Sequence, residues 1–124
     1  MVSKVAKLVP HVKENAKDGG VDNVMKAIDS FPYRDSLVIL NDEKGTLLDN
    51  AVTKFKPRVA LELGFSCGCS AIRIALKMTK YDSKLLTLQP REEKTKIARE
   101  LMKHAGKFDL EPRFNVYVLS TSYI

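Results

Sequence analysis

Residues 62–70 read ELGFSCGCS, placing one acid (Glu62), two glycines four apart (Gly64 and Gly68), two cysteines (Cys67 and Cys69) and a serine (Ser70) within nine positions. Three chemistries are open to such a run. Glycines accept positive φ and let a ligand come close to the backbone, and a helix starting behind them offers unpaired N–H groups to an anion. The cysteines could instead serve a metal or a redox pair, or the run is a plain strand-to-helix turn. Metal binding is poorly supported, because two thiols without nearby histidines fall short of a four-ligand site. Neighbours in C-x-C spacing do not bridge easily either. The spacing G-x-x-x-G-x-S also departs from the dinucleotide fingerprint G-x-G-x-x-G, which leaves a nicotinamide cofactor as a weaker alternative.

Other reactive side chains form no constellation. His11 and His104 fall on expected helices, with no serine or cysteine at catalytic spacing. Glu92 and Glu93 resemble a carboxylate pair, yet they fit better as acids in the first turn of a helix. No catalytic residue and no metal ligand is therefore assigned. The net charge of +6 in 124 residues comes mostly from lysines spread along the chain. Such scatter suits solvated helix faces and not a nucleic-acid stripe with interleaved aromatics. No apolar run reaches membrane-spanning length, and the basic N-terminus lacks the pattern of a secretory signal. Two cysteines suit a reduced, cytoplasmic protein.

The elements that must hold the 62–70 run follow from periodicity. A helix is expected over 3–17, kinked or restarted at Pro10, and a second over 22–30, capped by Asp22 or Asn23. A short apolar run, LVIL, occupies 37–40, and a third helix spans 44–55 before Pro57. Strand and helix then alternate: strand 58–63, helix 71–79, strand 84–88, helix 91–105 with Gly106 as its stop, and strand 114–119. RVALEL is apolar at nearly every position, as in a parallel strand covered on both faces. The fold class is thus α/β: N-terminal helices over 1–56, then three parallel strands over 57–124, the first half of a Rossmann-like sheet in one incomplete domain. In such sheets ligands bind outside the carboxyl ends of the strands, which is where Gly64 to Ser70 falls. Ser70 can cap the following helix or donate its hydroxyl to a carboxylate. Glu62, if partly buried, needs a partner, and Arg73 is one choice.

LELGFSCGCSAIRIA resembles the first motif of the catechol O-methyltransferase family, whose usual form is LELGxYCGYSxxRxA. HVKENAKDGGVDNVMKAIDSF is similar to that family's N-terminal helices, NDEKG to the segment before its third helix, and KLLTLQP with a helix ending HAG to its second unit. The likeness runs from about His11 to Gly106. It implies S-adenosylmethionine as cofactor, a small catechol as methyl acceptor, and Mg²⁺. By the resemblance, Val38 lines the site beside the sulfonium and Leu40 gives main-chain contacts to the methionine carboxylate, helped by the Ser70 hydroxyl. Glu62 lies under the methionine portion, Gly64 lets the backbone approach it, and Gln89 takes the place of the acid that binds the ribose.

The departures bear on activity. Ser66 and Cys69 stand where the family has tyrosines, and Gln89 offers one carbonyl acceptor in place of a carboxylate. The family's Mg²⁺ ligands, its catalytic lysine and its catechol-binding acid have no counterpart in this chain. A fragment or shortened form is expected, inactive alone. It leaves VALEL as an open apolar edge through which the chain can self-associate or act as a non-catalytic binding module.

Overall fold

Pro10 sets how the chain begins. In the computed structural model, which describes residues 3–37, 42–64, 68–78, 82–106 and 114–120, a 3-10 turn over Val5–Lys7 leads into helix α1, Leu8–Asn15. The proline thus sits in the first turn, where its missing N–H would have no intrahelical acceptor, and the helix restarts around it. Helix α2, Val21–Asp29, is entered through Gly20 at φ +88° and not through a side-chain cap on Asp22 or Asn23. Asn23 instead donates its Nδ2 to the Gly19 carbonyl at 3.0 Å. Helix α3, Asp42–Phe55, starts two residues earlier than its apolar spacing suggests, and Pro57 follows its end. Of the LVIL run, Leu37 is buried, while residues 38–40 lie outside the described residues.

Beyond Pro57 the chain is a mixed α/β unit. Strand β1 (Val59–Leu63), helix α4 (Cys69–Lys77), strand β2 (Ser83–Gln89), helix α5 (Glu92–Ala105) and strand β3 (Phe114–Ser120) follow in order. The strands pair in parallel as β1-β2-β3, with Glu62 directly opposite Thr87 and Leu63 opposite Leu88. Helix α5 ends at Gly106, which adopts φ +78° and turns its N–H back onto Met102 and Lys103 carbonyls, satisfying groups the helix end would leave open.

Helix α5 joins the two parts of the chain because its apolar stripe is wide. Ile97, Leu101 and Ala105 meet α1 and α2 in a cluster with Leu8, Val12 and Ile28. Ala98 and Met102 turn the other way, onto Ile72 and Ala75 of α4 and Leu85 of β2. The N-terminal helices and the sheet therefore share a core through one helix.

The sheet is covered on one face. Leu85 and Thr87 are buried beneath α4 and α5, and Ala60 packs against the same cluster. On the other face Val59, Leu61 and Leu63 are 60%, 60% and 74% exposed. The topology explains this: right-handed crossovers that advance β1 to β2 to β3 in one direction put both connecting helices on the same side. The near-continuous apolar sequence of β1 points to cover on both faces, and the described helices cover one.

Candidate functional site at the carboxyl end of the first strand

Glu62 is the centre of the site. It is the penultimate residue of β1, on the covered face, in a setting that would penalise a carboxylate without partners. Two hydroxyls supply them. Thr87 Oγ1 donates to Glu62 Oε1 at 2.7 Å from the facing position of β2. Ser70 Oγ donates to Oε2 at 2.5 Å from the first turn of α4. One carboxylate thereby ties together β1, β2 and α4.

Its charge is balanced by no basic side chain among the described residues. Arg73, the partner considered from sequence, gives its Nε to Asp49 Oδ1 of α3 at 2.9 Å. That pairing is possible because Gly45 lacks a side chain: a Cβ there would lie 2.3 Å from the Arg73 Cζ. Arg73 thus fastens α3 to α4 and leaves Glu62 to its two hydroxyls. Each carboxylate oxygen has two lone pairs, so one acceptor position per oxygen remains after the bonds to Thr87 and Ser70.

The glycines have different tasks. Gly64 continues the ladder by donating its N–H to the Leu88 carbonyl at 2.8 Å, at φ +74°. A Cβ at Gly64 would meet no atom of the described residues within 4 Å. Gly68 is the N-cap of α4 at φ +91°, and its backbone lies against Ala98 of α5. Gly68 thus makes a close helix contact, whereas no described residue crowds Gly64. Ser70 does not cap α4, since no side chain caps that helix. Its single hydroxyl proton goes to Glu62. The first turn of α4 points its N–H groups toward the same end of the sheet, where the helix dipole favours an anion.

Gln89 is the last residue of β2 and is buried; its Oε1 accepts from the Arg91 N–H at 3.2 Å. Its one carbonyl is therefore engaged in the turn that follows the strand. The structure brings Glu62, Gly64 and Ser70 together and puts Gln89 on the same strand end, two residues beyond Thr87. Val38 and Leu40 lie outside the described residues, as do Ser66 and Cys67. Cys69 is buried in the core against the N-terminal helices. Thr87 was not singled out from sequence. The available signal was a hydroxyl residue inside the apolar run LLTL, which on a covered face must find a partner.

Remaining polar groups serve the frame. His104 Nε2 donates to the Ala16 carbonyl at 2.5 Å, linking α5 to the end of α1, and His11 Nε2 bonds the Ala27 carbonyl at 2.9 Å. Among the described residues no three His, Cys, Asp or Glu side chains converge as a metal site, and no helix is long and apolar enough to cross a membrane. A groove between α1 and α5, floored by Ala6, Val9, Pro10 and Ile97, shares no residue with the site.

Known proteins resemble this chain over most of its length. It is 39% identical to a Mycobacterium tuberculosis protein named "Probable O-methyltransferase", across 84% of this chain and 44% of the relative. It is 37% identical to catechol O-methyltransferase B of Danio rerio, across 81% of this chain and 38% of the relative. The chain thus spans less than half the length of these curated relatives. Among solved structures, an O-methyltransferase from Bacillus cereus in complex with SAH superposes with a TM-score of 0.56 at 20% identity, covering 99% of this chain and 46% of the other. No family model matches. The sequence resemblance to the catechol O-methyltransferase family is borne out by these relatives, and the solved structure shares the fold.

Proposed function

We propose that this chain, similar in sequence to O-methyltransferases, forms the methyl-donor side of an S-adenosylmethionine-dependent O-methyltransferase. The carrying observation is Glu62: a carboxylate at the carboxyl end of β1, oriented by two hydroxyls, without a basic partner among the described residues, beside a Gly64 that no described residue crowds. A cationic ligand group is what such a carboxylate accepts. The amino-acid end of S-adenosylmethionine brings an ammonium for Glu62 and a carboxylate for the α4 N-terminus and Ser70. Gly64 lets that end lie close to the backbone, and by the resemblance Gln89 stands at the ribose-binding position with its carbonyl already held by the Arg91 N–H. The resemblance adds Val38 beside the sulfonium and Leu40 at the methionine carboxylate.

The three parallel strands serve as the first half of a Rossmann-like methyltransferase sheet, with residues 1–56 as its helical cap. The acceptor we propose is a catechol hydroxyl, whose oxygen attacks the sulfonium methyl carbon in line with the breaking carbon–sulfur bond, releasing S-adenosylhomocysteine and the hydroxyl proton. When bound, Mg²⁺ would orient that hydroxyl and ease its deprotonation. Among the described residues no three His, Cys, Asp or Glu side chains converge on a seat for this ion, and the role we propose for the chain is to bind and orient the donor. The 124-residue chain alone is expected to transfer no methyl group to a catechol. Calorimetry with S-adenosylmethionine tests the cradle. A dissociation constant in the tens of micromolar or tighter supports it, and no heat at millimolar ligand overturns it.

A second reading is favoured by the bare face of β1. Parallel sheets are normally covered on both sides, and an open apolar edge invites pairing. In this reading the chain is a binding module that self-associates through Val59, Leu61 and Leu63. Sedimentation equilibrium would then show dimers that Leu61→Glu dissolves. A wild-type monomer at high micromolar concentration sinks this reading and leaves the first intact.

A further inference from the structure

We infer that Thr87 is a positioning residue for the amino-acid end of the cofactor, acting through Glu62. The inference rests on the cradle proposed above and extends it to a strand outside the glycine loop. Thr87 is fully buried in β2, and its hydroxyl donates to Glu62 Oε1 at 2.7 Å. A buried strand position does not need a hydroxyl for its own sake. Valine has nearly the same shape, suits a strand as well, and needs no hydrogen-bond partner. The hydroxyl is explained by the carboxylate it holds.

The two donors on Glu62 differ in what a ligand does to them. Ser70 has one hydroxyl proton, now given to Glu62 Oε2. An arriving ligand carboxylate at the α4 N-terminus competes for that same proton, because a hydroxyl donates only once. Thr87 lies inside the sheet, in register with Glu62, where no ligand oxygen competes for it. When Ser70 turns to the ligand, Thr87 is the hydroxyl that keeps the carboxylate aimed. Ser70 leaving Oε2 also frees a second acceptor position, which the ligand ammonium can take. The closed Ser70–Glu62–Thr87 chain is thus a resting arrangement that opens at Ser70 and stays fixed at Thr87.

The test titrates wild type, Thr87→Val and Thr87→Ser with two probes. S-adenosylhomocysteine carries the amino-acid end; 5′-methylthioadenosine keeps the adenosine and thioether without it. Thr87→Val should weaken S-adenosylhomocysteine binding roughly tenfold, the scale of one hydrogen bond to a charged group. Methylthioadenosine binding should stay unchanged, and Thr87→Ser should restore the first affinity to within about twofold of wild type. Equal weakening of both probes would mean a general structural role and overturn the inference, as would an unchanged S-adenosylhomocysteine affinity or failed rescue by serine. Wild type that binds neither probe removes the cradle reading itself, and this inference with it. If Thr87→Val does not fold, Thr87→Ala supplies the same comparison: selective loss of S-adenosylhomocysteine supports the inference, and equal behaviour toward both probes refutes it.

Discussion

Gly64 and Gly68 share a positive φ and differ in their described surroundings, so alanine at each separates the cost of conformation from the cost of space. Gly64 has φ +74° and Gly68 φ +91°. An L-residue held in this region costs about 1–2 kcal/mol. At Gly64 the described residues add nothing else, because none of their atoms would lie within 4 Å of a Cβ. At Gly68 the new methyl would stand 3.0 Å from the Ala98 Cβ and 3.2 Å from its Cα. The Ala98 Cα belongs to a helix backbone that cannot swing aside as a long side chain would. Overpacking of this kind adds about 1–3 kcal/mol. Gly68→Ala should therefore lose about 2–5 kcal/mol and Gly64→Ala about 1–2 kcal/mol. Urea unfolding followed by circular dichroism reads the difference. With a slope of about 1–3 kcal/mol per molar urea, the two midpoints should separate by something on the order of 1 M. Midpoints that coincide would refute the claim that α4 is seated against α5 through Gly68. On the cradle reading, Gly64→Ala should nonetheless be the more harmful to S-adenosylhomocysteine binding, since its methyl enters the space over the strand end.

Leu101→Ala, in the cluster where α5 meets α1 and α2, should cost about 2–5 kcal/mol in a thermal or urea melt, while Leu47→Ala, mostly exposed on α3, should stay within about 0.5 kcal/mol. Asp49→Ala should cost about 1–2 kcal/mol, between the values for exposed and buried ion pairs. Gly45→Ala displaces the Arg73 guanidinium, so adding Asp49→Ala to it should cost much less than in wild type; full additivity in this cycle would refute the Arg73 clamp. Gln89→Glu keeps an oxygen for the Arg91 N–H and presents a second, charged one. Calorimetry should show S-adenosylhomocysteine bound about three- to tenfold tighter, and no gain would detach Gln89 from the ribose.

The order of elements was legible because each rests on local chemistry. Helical periodicity marks α5, its two glutamates sit in the first turn, and Gly106 ends it through a positive φ that only glycine accepts freely. The alternation of strand and helix after Pro57 followed from the same signals, and it placed the glycine loop at a strand's carboxyl end. Boundaries that depend on caps were less clear. Gly20 and Gly68 open their helices by backbone conformation, so the polar residues nearby were misleading guides to α2 and α4.

What the sequence could not carry was partnership between distant residues. Glu62 could be seen to need a partner. Only the parallel register, which sets Thr87 across from it, and the turn of α4, which brings Ser70 in, decided that two hydroxyls and not Arg73 would fill that need. The Arg73 choice was settled on a third helix, by the space that Gly45 leaves beside Asp49. The bare face of β1 is likewise a product of topology: Val59, Leu61 and Leu63 are the more apolar side of VALEL, yet the helices cover the side of Ala60 and Glu62, because the direction in which the strands are added decides it. Composition and spacing thus determined the elements and set the glycine loop at the carboxyl end of a strand. Long-range pairing decided which groups hold the carboxylate there, because hydrogen bonds across a sheet depend on register, and register is a property of the assembled strands.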